Sequence, residues 1–124
     1  MIERVLVTGS LGFTGRYMIE MLESQGCETL GVGSQAAKKA TTAYRQVDLL
    51  DYSGLCRVVE DFKPTHVVHL AAVSFVAHGD ASAIYQVNVI GTRNLLEALV
   101  GSGIFIQKVI VARSANVSGN TVAG

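Results

Sequence analysis

Apolar residues in this chain fall into short runs, separated by longer stretches in which they recur every three or four positions. The opening run IERVLV, Ile2 to Val7, is rich in β-branched residues and predicts a strand. Phe13 to Gln25 follows with Met18, Ile19 and Leu22 at helical spacing, and Gly26 stands where a helix C-terminal glycine belongs. Strands are predicted next at Glu28 to Gly33 and Arg45 to Val47, then a helix at Ser53 to Phe62. The run HVVHLAA after the sole proline, Pro64, predicts a fourth strand, Ala81 to Val100 a long helix and Lys108 to Ala112 a fifth strand. Strands alternating with helices imply βαβ crossovers, hence an α/β fold: a doubly wound parallel sheet with helices on both faces. There are no repeats or low-complexity tracts, and the loop SQAAKKATT at 34–42 is the only linker-like stretch.

The first strand-to-helix turn carries the main chemical signal. Residues 7–15 read VTGSLGFTG, with Gly9, Gly12 and Gly15 spaced by three. Glycine loses more conformational freedom on folding than any other residue, so three in one turn require a cause. One cause is a bare structural turn; the other is a backbone that must approach a bound phosphate. In a doubly wound sheet this turn aims helix N-terminal amides outward and suits a pyrophosphate. The spacing is one residue longer than the usual dinucleotide fingerprint.

Composition adds mainly exclusions. A chain of 124 residues makes one domain at most, and ten basic against ten acidic side chains leave no electrostatic footprint for nucleic acid or an anionic membrane. No stretch reaches the roughly 18 apolar residues of a membrane span, and a cytoplasmic protein is expected. Cys27 and Cys56 fall inside predicted elements and read as free buried thiols of a reducing compartment, and no metal-ligand spacing occurs. His69 lies in an apolar strand and reads as a satisfied core histidine; His66 and His78 suggest no metal. In the long helix, Ile84, Val87, Ile90, Leu95 and Leu99 are expected on the core face. Tyr85, Val89, Leu96 and Val100 make the other side apolar too, so something should cover it.

TGSLGFTG at 8–15, VDLLD at 47–51, KPTHVVHLAA at 63–72, NVIGTRNLLEA at 88–98 and SANVSG at 114–119 together resemble the extended short-chain dehydrogenases/reductases, the NAD(P)-dependent epimerase/dehydratases. The resemblance implies a Rossmann-like NAD(P)-binding domain over residues 1–124, incomplete, with the C-terminal substrate domain absent from this chain. It implies that Gly9, Gly12 and Gly15 let the backbone meet the pyrophosphate, with Phe13 and Thr14 donating amides there. Asp48 would accept from the adenine amine, with Leu49 against the ring, although Asp48 also reads as an ordinary turn aspartate. Leu70, Ala71, Ala72 and Ser74 would line the cofactor's path at the topological switch point, small residues that equally suit tight packing. Asn88 would support the cofactor side of the active site. The helix at 81–100 would form a homodimer interface, the alternative being cover from a missing part of the same chain.

The family's proton transfers use a tyrosine with a lysine four residues later. Four residues beyond Tyr17, Tyr44, Tyr52 and Tyr85 stand Met21, Asp48, Cys56 and Val89, so this chain alone is expected to be inactive. Ser114 matches the family's catalytic serine or threonine, or else caps a strand end. Two residues on, Asn116 replaces the acid of the dehydratases, which favours epimerase or reductase chemistry on a nucleotide sugar, while SFV at 74–76 looks somewhat like certain dehydratase and reductase branches. Gly33 stands where NAD-dependent members carry the ribose-binding aspartate. With Ser34, Gln35, Lys38 and Lys39 following, the reading favours NADP within NAD(P), unless the lysines are simply solvated loop charges. The alternative to an enzyme is a non-catalytic NAD(P)-binding or sensor module on the same fold.

Overall fold

The structure, a computed structural model, describes residues 2–36, 43–71 and 81–113; for 71, 81–88 and 112–113 only the element to which they belong is described. The elements are β1 (Arg4–Thr8), α1 (Phe13–Ser24), β2 (Glu28–Gly33), β3 (Tyr44–Gln46), α2 (Tyr52–Phe62), β4 (His66–Ala71), α3 (Ala81–Gly101) and β5 (Lys108–Arg113). They match the expected alternation, with boundaries moved by a residue or two. β1 starts later than its apolar pattern because pairing begins at Arg4 opposite Glu28, and it runs on to Thr8, which pairs with Val32 and His69.

The five strands are parallel in the order β3-β2-β1-β4-β5. Side chains of β1 alternate between the faces as the pleat requires. Leu6 joins Leu30, Val32, Val67 and the inner faces of α2 and α3 in one core, while Val5 and Val7 join Val68 and Ile19 of α1 in the other. The sheet is therefore covered on both faces, as a doubly wound fold demands. No helix among the described residues is long and apolar enough to cross a membrane.

Helix ends follow the residues that form them. At the C-terminus of α1, Gly26 is left-handed at φ 88°, its N–H donates to the Glu23 carbonyl at 3.0 Å and the Cys27 N–H to that of Leu22 at 3.1 Å. This double closure is the Schellman arrangement. α2 starts at Asp51, whose Oδ1 accepts the Gly54 N–H at 3.0 Å.

Two expectations require correction. Cys27 and Cys56 are free but only half-buried. Cys27 lies just outside α1 and donates to the exposed Glu3 carboxylate at 3.5 Å, while Cys56 sits at the margin of the α2 core. In α3 the core face is Leu95, Ala98 and Leu99, and Ile90 is 46% exposed. Residues five apart stand about 140° apart round a helix, so Ile90 cannot share the face of Leu95. Gly91, four before Leu95, takes that place against Leu49.

Candidate functional site

In a parallel sheet every strand ends on the same edge, and here the winding reverses between β1 and β4, which opens a crevice beyond their C-terminal ends. The glycine loop sits at that point and its three glycines divide the labour. Gly9 is left-handed at φ 67°, its N–H extends the ladder to the Val32 carbonyl at 3.1 Å, and a side chain on it would meet the Leu70 carbonyl at 3.0 Å. Gly15 is buried, and a Cβ there would collide with the Gly9 carbonyl and the Ser10 backbone, so its role is to bring α1 close to β1. Gly12 differs: it is extended (φ −76°, ψ 172°), and among the described residues a Cβ there would meet only the Gly9 carbonyl, at an ordinary 3.6 Å. Apart from its chain neighbours, no other atom of the described residues comes within 4 Å of that position.

Gly12 is also the N-cap of α1 and offers no side chain to the helix terminus. The first intrahelical bond runs from Arg16 N–H to the Gly12 carbonyl at 2.9 Å, so the amides of Phe13, Thr14 and Gly15 precede any helical acceptor. The first turn has no acidic residue, and the Phe13 side chain is 84% exposed. Open backbone at Gly12 beside helix N-terminal amides with no acceptor among the described residues suits a phosphate-bearing ligand, the group that NAD(P) would place there. Ser10, next to Gly9 in the loop, is buried, with its Oγ unpartnered among the described residues and set against Gly31, where a side chain would clash with it.

The crevice rim comes from the other strand ends. Beyond β2, Ser34 and Gln35 are exposed; the Ser34 carbonyl accepts Gln46 Nε2 at 3.1 Å, and the Gln35 carbonyl accepts the Tyr44 hydroxyl. Beyond β3, Asp48 is exposed and uses Oδ1 to accept the Leu50 N–H at 2.9 Å, an aspartate turn of the ordinary kind that engages one carboxylate oxygen. Leu49 is half-buried against the core and Gly91. Leu70 covers Gly9 at the end of β4, and Ala71 closes that strand. The glycine loop, Ser34, Asp48, Leu49, Leu70 and Ala71 thus share one sheet edge. Lys38, Lys39, Ala72, Ser74 and Ser114 lie outside the described residues, as does the side chain of Asn88.

Several organising residues escaped the sequence reading. Thr8 Oγ1 accepts the Leu70 N–H at 3.0 Å and lies 2.7 Å from His69 Nδ1; His69 Nε2 lies 2.8 Å from Thr92 Oγ1. Asn94 Nδ2 donates to the Leu49 carbonyl at 2.9 Å and so holds the turn after β3 onto α3. Polar Thr92 and Asn94 in a mostly apolar helix were the available signal, because a buried polar group needs a partner. His69, 1% exposed and bonded on both nitrogens, is the satisfied core histidine expected, and burial holds its imidazole below the usual range.

Comparison with known proteins agrees with this geometry. Residues 5–123 match the model of the NAD dependent epimerase/dehydratase family. The chain is 33% identical over 117 residues to GDP-6-deoxy-D-talose 4-dehydrogenase from Aggregatibacter actinomycetemcomitans, covering 94% of this chain and 37% of that protein. It is 31% identical over 105 residues to methionine adenosyltransferase 2 subunit beta from Mus musculus, covering 83% of this chain and 30% of that protein. Among solved structures, UDP-glucose 4-epimerase from Thermus thermophilus in complex with NAD superposes with a TM-score of 0.72 at 37% identity, over 82% of this chain and 35% of that one. The chain spans about a third of the length of each of these proteins. With the fold, the glycine loop and the family model in agreement over nearly all its length, the chain belongs to the NAD dependent epimerase/dehydratase family.

Proposed function

We propose that this chain is the NAD(P)-binding portion of a nucleotide-sugar epimerase, reductase or dehydratase, with NADP the preferred cofactor. The observation that carries the reading is the open backbone at Gly12 beside the uncapped first turn of α1. Gly12, Phe13 and Thr14 hold the pyrophosphate, with Gly9 and Gly15 shaping the loop around it. Ser34 serves the adenosine ribose, Asp48 and Leu49 the adenine, and Leu70, Ala71, Ala72, Ser74 and Asn88 the path toward the nicotinamide. A bound nicotinamide supplies hydride exchange at a sugar carbon, and Ser114 holds the reacting oxygen. Epimerase or reductase chemistry is preferred because Asn116, unlike a carboxylate, does not exchange protons near neutral pH. Support for NADP is the absence of a carboxylate at Gly33 and the donors at Ser34 and Gln35. The exposed apolar side of α3 makes a homodimer.

Gly12→Val tests the site. The extended backbone at Gly12 accepts a β-branched residue, and among the described residues a Cβ there meets the Gly9 carbonyl at an ordinary 3.6 Å, so the variant should fold while its branches fill the phosphate's space. Calorimetric titration should show NADPH and NADH binding in the parent and neither in the variant, at unchanged circular dichroism. Retained affinity in the folded variant refutes the reading.

A further inference from the structure

The end of β2 carries a second arrangement, in which a glycine and a tyrosine share one space. Gly31 and Gly33 point to the same face of the sheet, as positions two apart on a strand must, and Gly31 lies under Ser10 of the glycine loop. Gly33 therefore faces the same side as that loop. A Cβ at Gly33 would stand 2.8 Å from the Tyr44 hydroxyl oxygen and 3.7 Å from Cε1 and Cζ of its ring. Tyr44 pairs in register with Gly31, and its side chain leans along β2 to reach the position two residues on.

A hydrogen bond holds the phenol in this place. Its hydroxyl donates to the Gln35 carbonyl, and on the same segment Gln46 Nε2 donates to the Ser34 carbonyl, so side chains at both ends of β3 pin residues 34 and 35. Burial pushes the Tyr44 hydroxyl above its ordinary range, so it is neutral at physiological pH. Position 33 is where dinucleotide-binding folds place the acid that grips the ribose hydroxyls of NAD.

We propose that Tyr44 is a specificity-determining residue, its phenol occupying over Gly33 the space that a ribose-binding carboxylate would need. A neutral ring then stands at the ribose end where a carboxylate would repel a 2′-phosphate. The proposal rests on the reading of this edge as the adenosine end of a dinucleotide site. It makes positions 33 and 44 a coupled pair: an acid at 33 works only when residue 44 is small.

The test is a double-mutant cycle in the full-length protein, with dissociation constants for NADPH and NADH measured on the parent, Gly33→Asp, Tyr44→Ala and the double variant. Gly33→Asp alone should weaken both nucleotides at least about tenfold, the double variant should regain NADH binding by about tenfold or more, and Tyr44→Ala alone should not produce NADH preference. If Gly33→Asp alone gains NADH affinity as fully as the double variant, the coupling is absent and the proposal falls. Coupling is read from the cycle whichever nucleotide the parent prefers, so a parent without NADPH preference overturns the NADP reading and leaves this one to its own result. Should Gly33→Asp not fold, Gly33→Ala decides through thermal unfolding: it should lower Tm in the Tyr44 background and not beside Tyr44→Ala, and equal lowering in both refutes the shared space.

Discussion

A histidine inside a strand has two ring nitrogens to satisfy, and His69 finds a threonine hydroxyl for each. Thr8 Oγ1 accepts the Leu70 N–H and shares a hydrogen bond of 2.7 Å with His69 Nδ1. Nε2 shares a second one of 2.8 Å with Thr92 Oγ1, which ties β1, β4 and α3 together beneath the glycine loop. A buried, paired histidine was legible at position 69 from its apolar neighbours. Its partners were not, since Thr8 is 61 residues away and Thr92 is 23. Replacement by leucine removes both contacts, and should cost about 1–3 kcal/mol, read as a lower urea midpoint. The sign with pH follows from burial: folding holds the imidazole below its ordinary value, so the unfolded chain takes up the proton first. Stability from this residue is complete above the ordinary imidazole range and is lost as pH falls through it, by at most about 1.4 kcal/mol per pH unit. The stability gap between parent and His69→Leu should therefore narrow from pH 7.5 to 5.5, and a constant gap refutes the burial of a neutral imidazole.

Among the elements, α1 and its loop were the easiest to place, because the apolar spacing, the three glycines and Gly26 agree on its limits. The pattern could not distribute the work within the loop. Gly15 is glycine for the sake of packing and Gly12 for the sake of open backbone, a distinction set by what lies against each residue. This separates two substitutions that look alike in sequence. Gly15→Ala forces the Gly9 carbonyl and Ser10 to move and should cost about 1–3 kcal/mol of overpacking, whereas Gly12→Val should leave the unfolding midpoint nearly unchanged. Urea titration of both variants checks the contrast; equal losses would mean that the loop is not packed as described. The long helix was harder to read: its apolar residues surround it, so spacing alone assigned Ile90 to the core, and contact with Leu49 gives that place to Gly91. Tyr44, in a three-residue strand, gave no periodic signal, and its bearing on Gly33 depends on the register between β2 and β3.

For the whole molecule, the alternating elements made the doubly wound class legible, whereas the strand order was fixed only by which neighbours pair. The same assembly leaves Val89 47%, Leu96 40% and Val100 82% exposed on one stripe of α3, at spacings of seven and four that keep them on a single face. Arg93 and Glu97, on the same side of the helix, pair with each other at 3.2 Å and so leave the apolar stripe edged by a local ion pair. Scattered apolar residues are ordinary on a surface, but a continuous stripe on a three-turn span is the kind of patch that interfaces bury. In the proposed homodimer, Leu96→Glu with Val100→Glu places two carboxylates in that seam, each removing about 1.5–3 kcal/mol of apolar burial besides the cost of desolvating charge. Sedimentation equilibrium of the full-length protein should give a dimeric mass for the parent and a monomeric mass for the variant, with NADPH affinity retained because the stripe lies on α3 and not on the glycine loop. Were the rest of the same chain to cover the stripe instead, the parent would be monomeric, and the two glutamates would lower the unfolding midpoint without changing the mass; that pair of results rejects the homodimer.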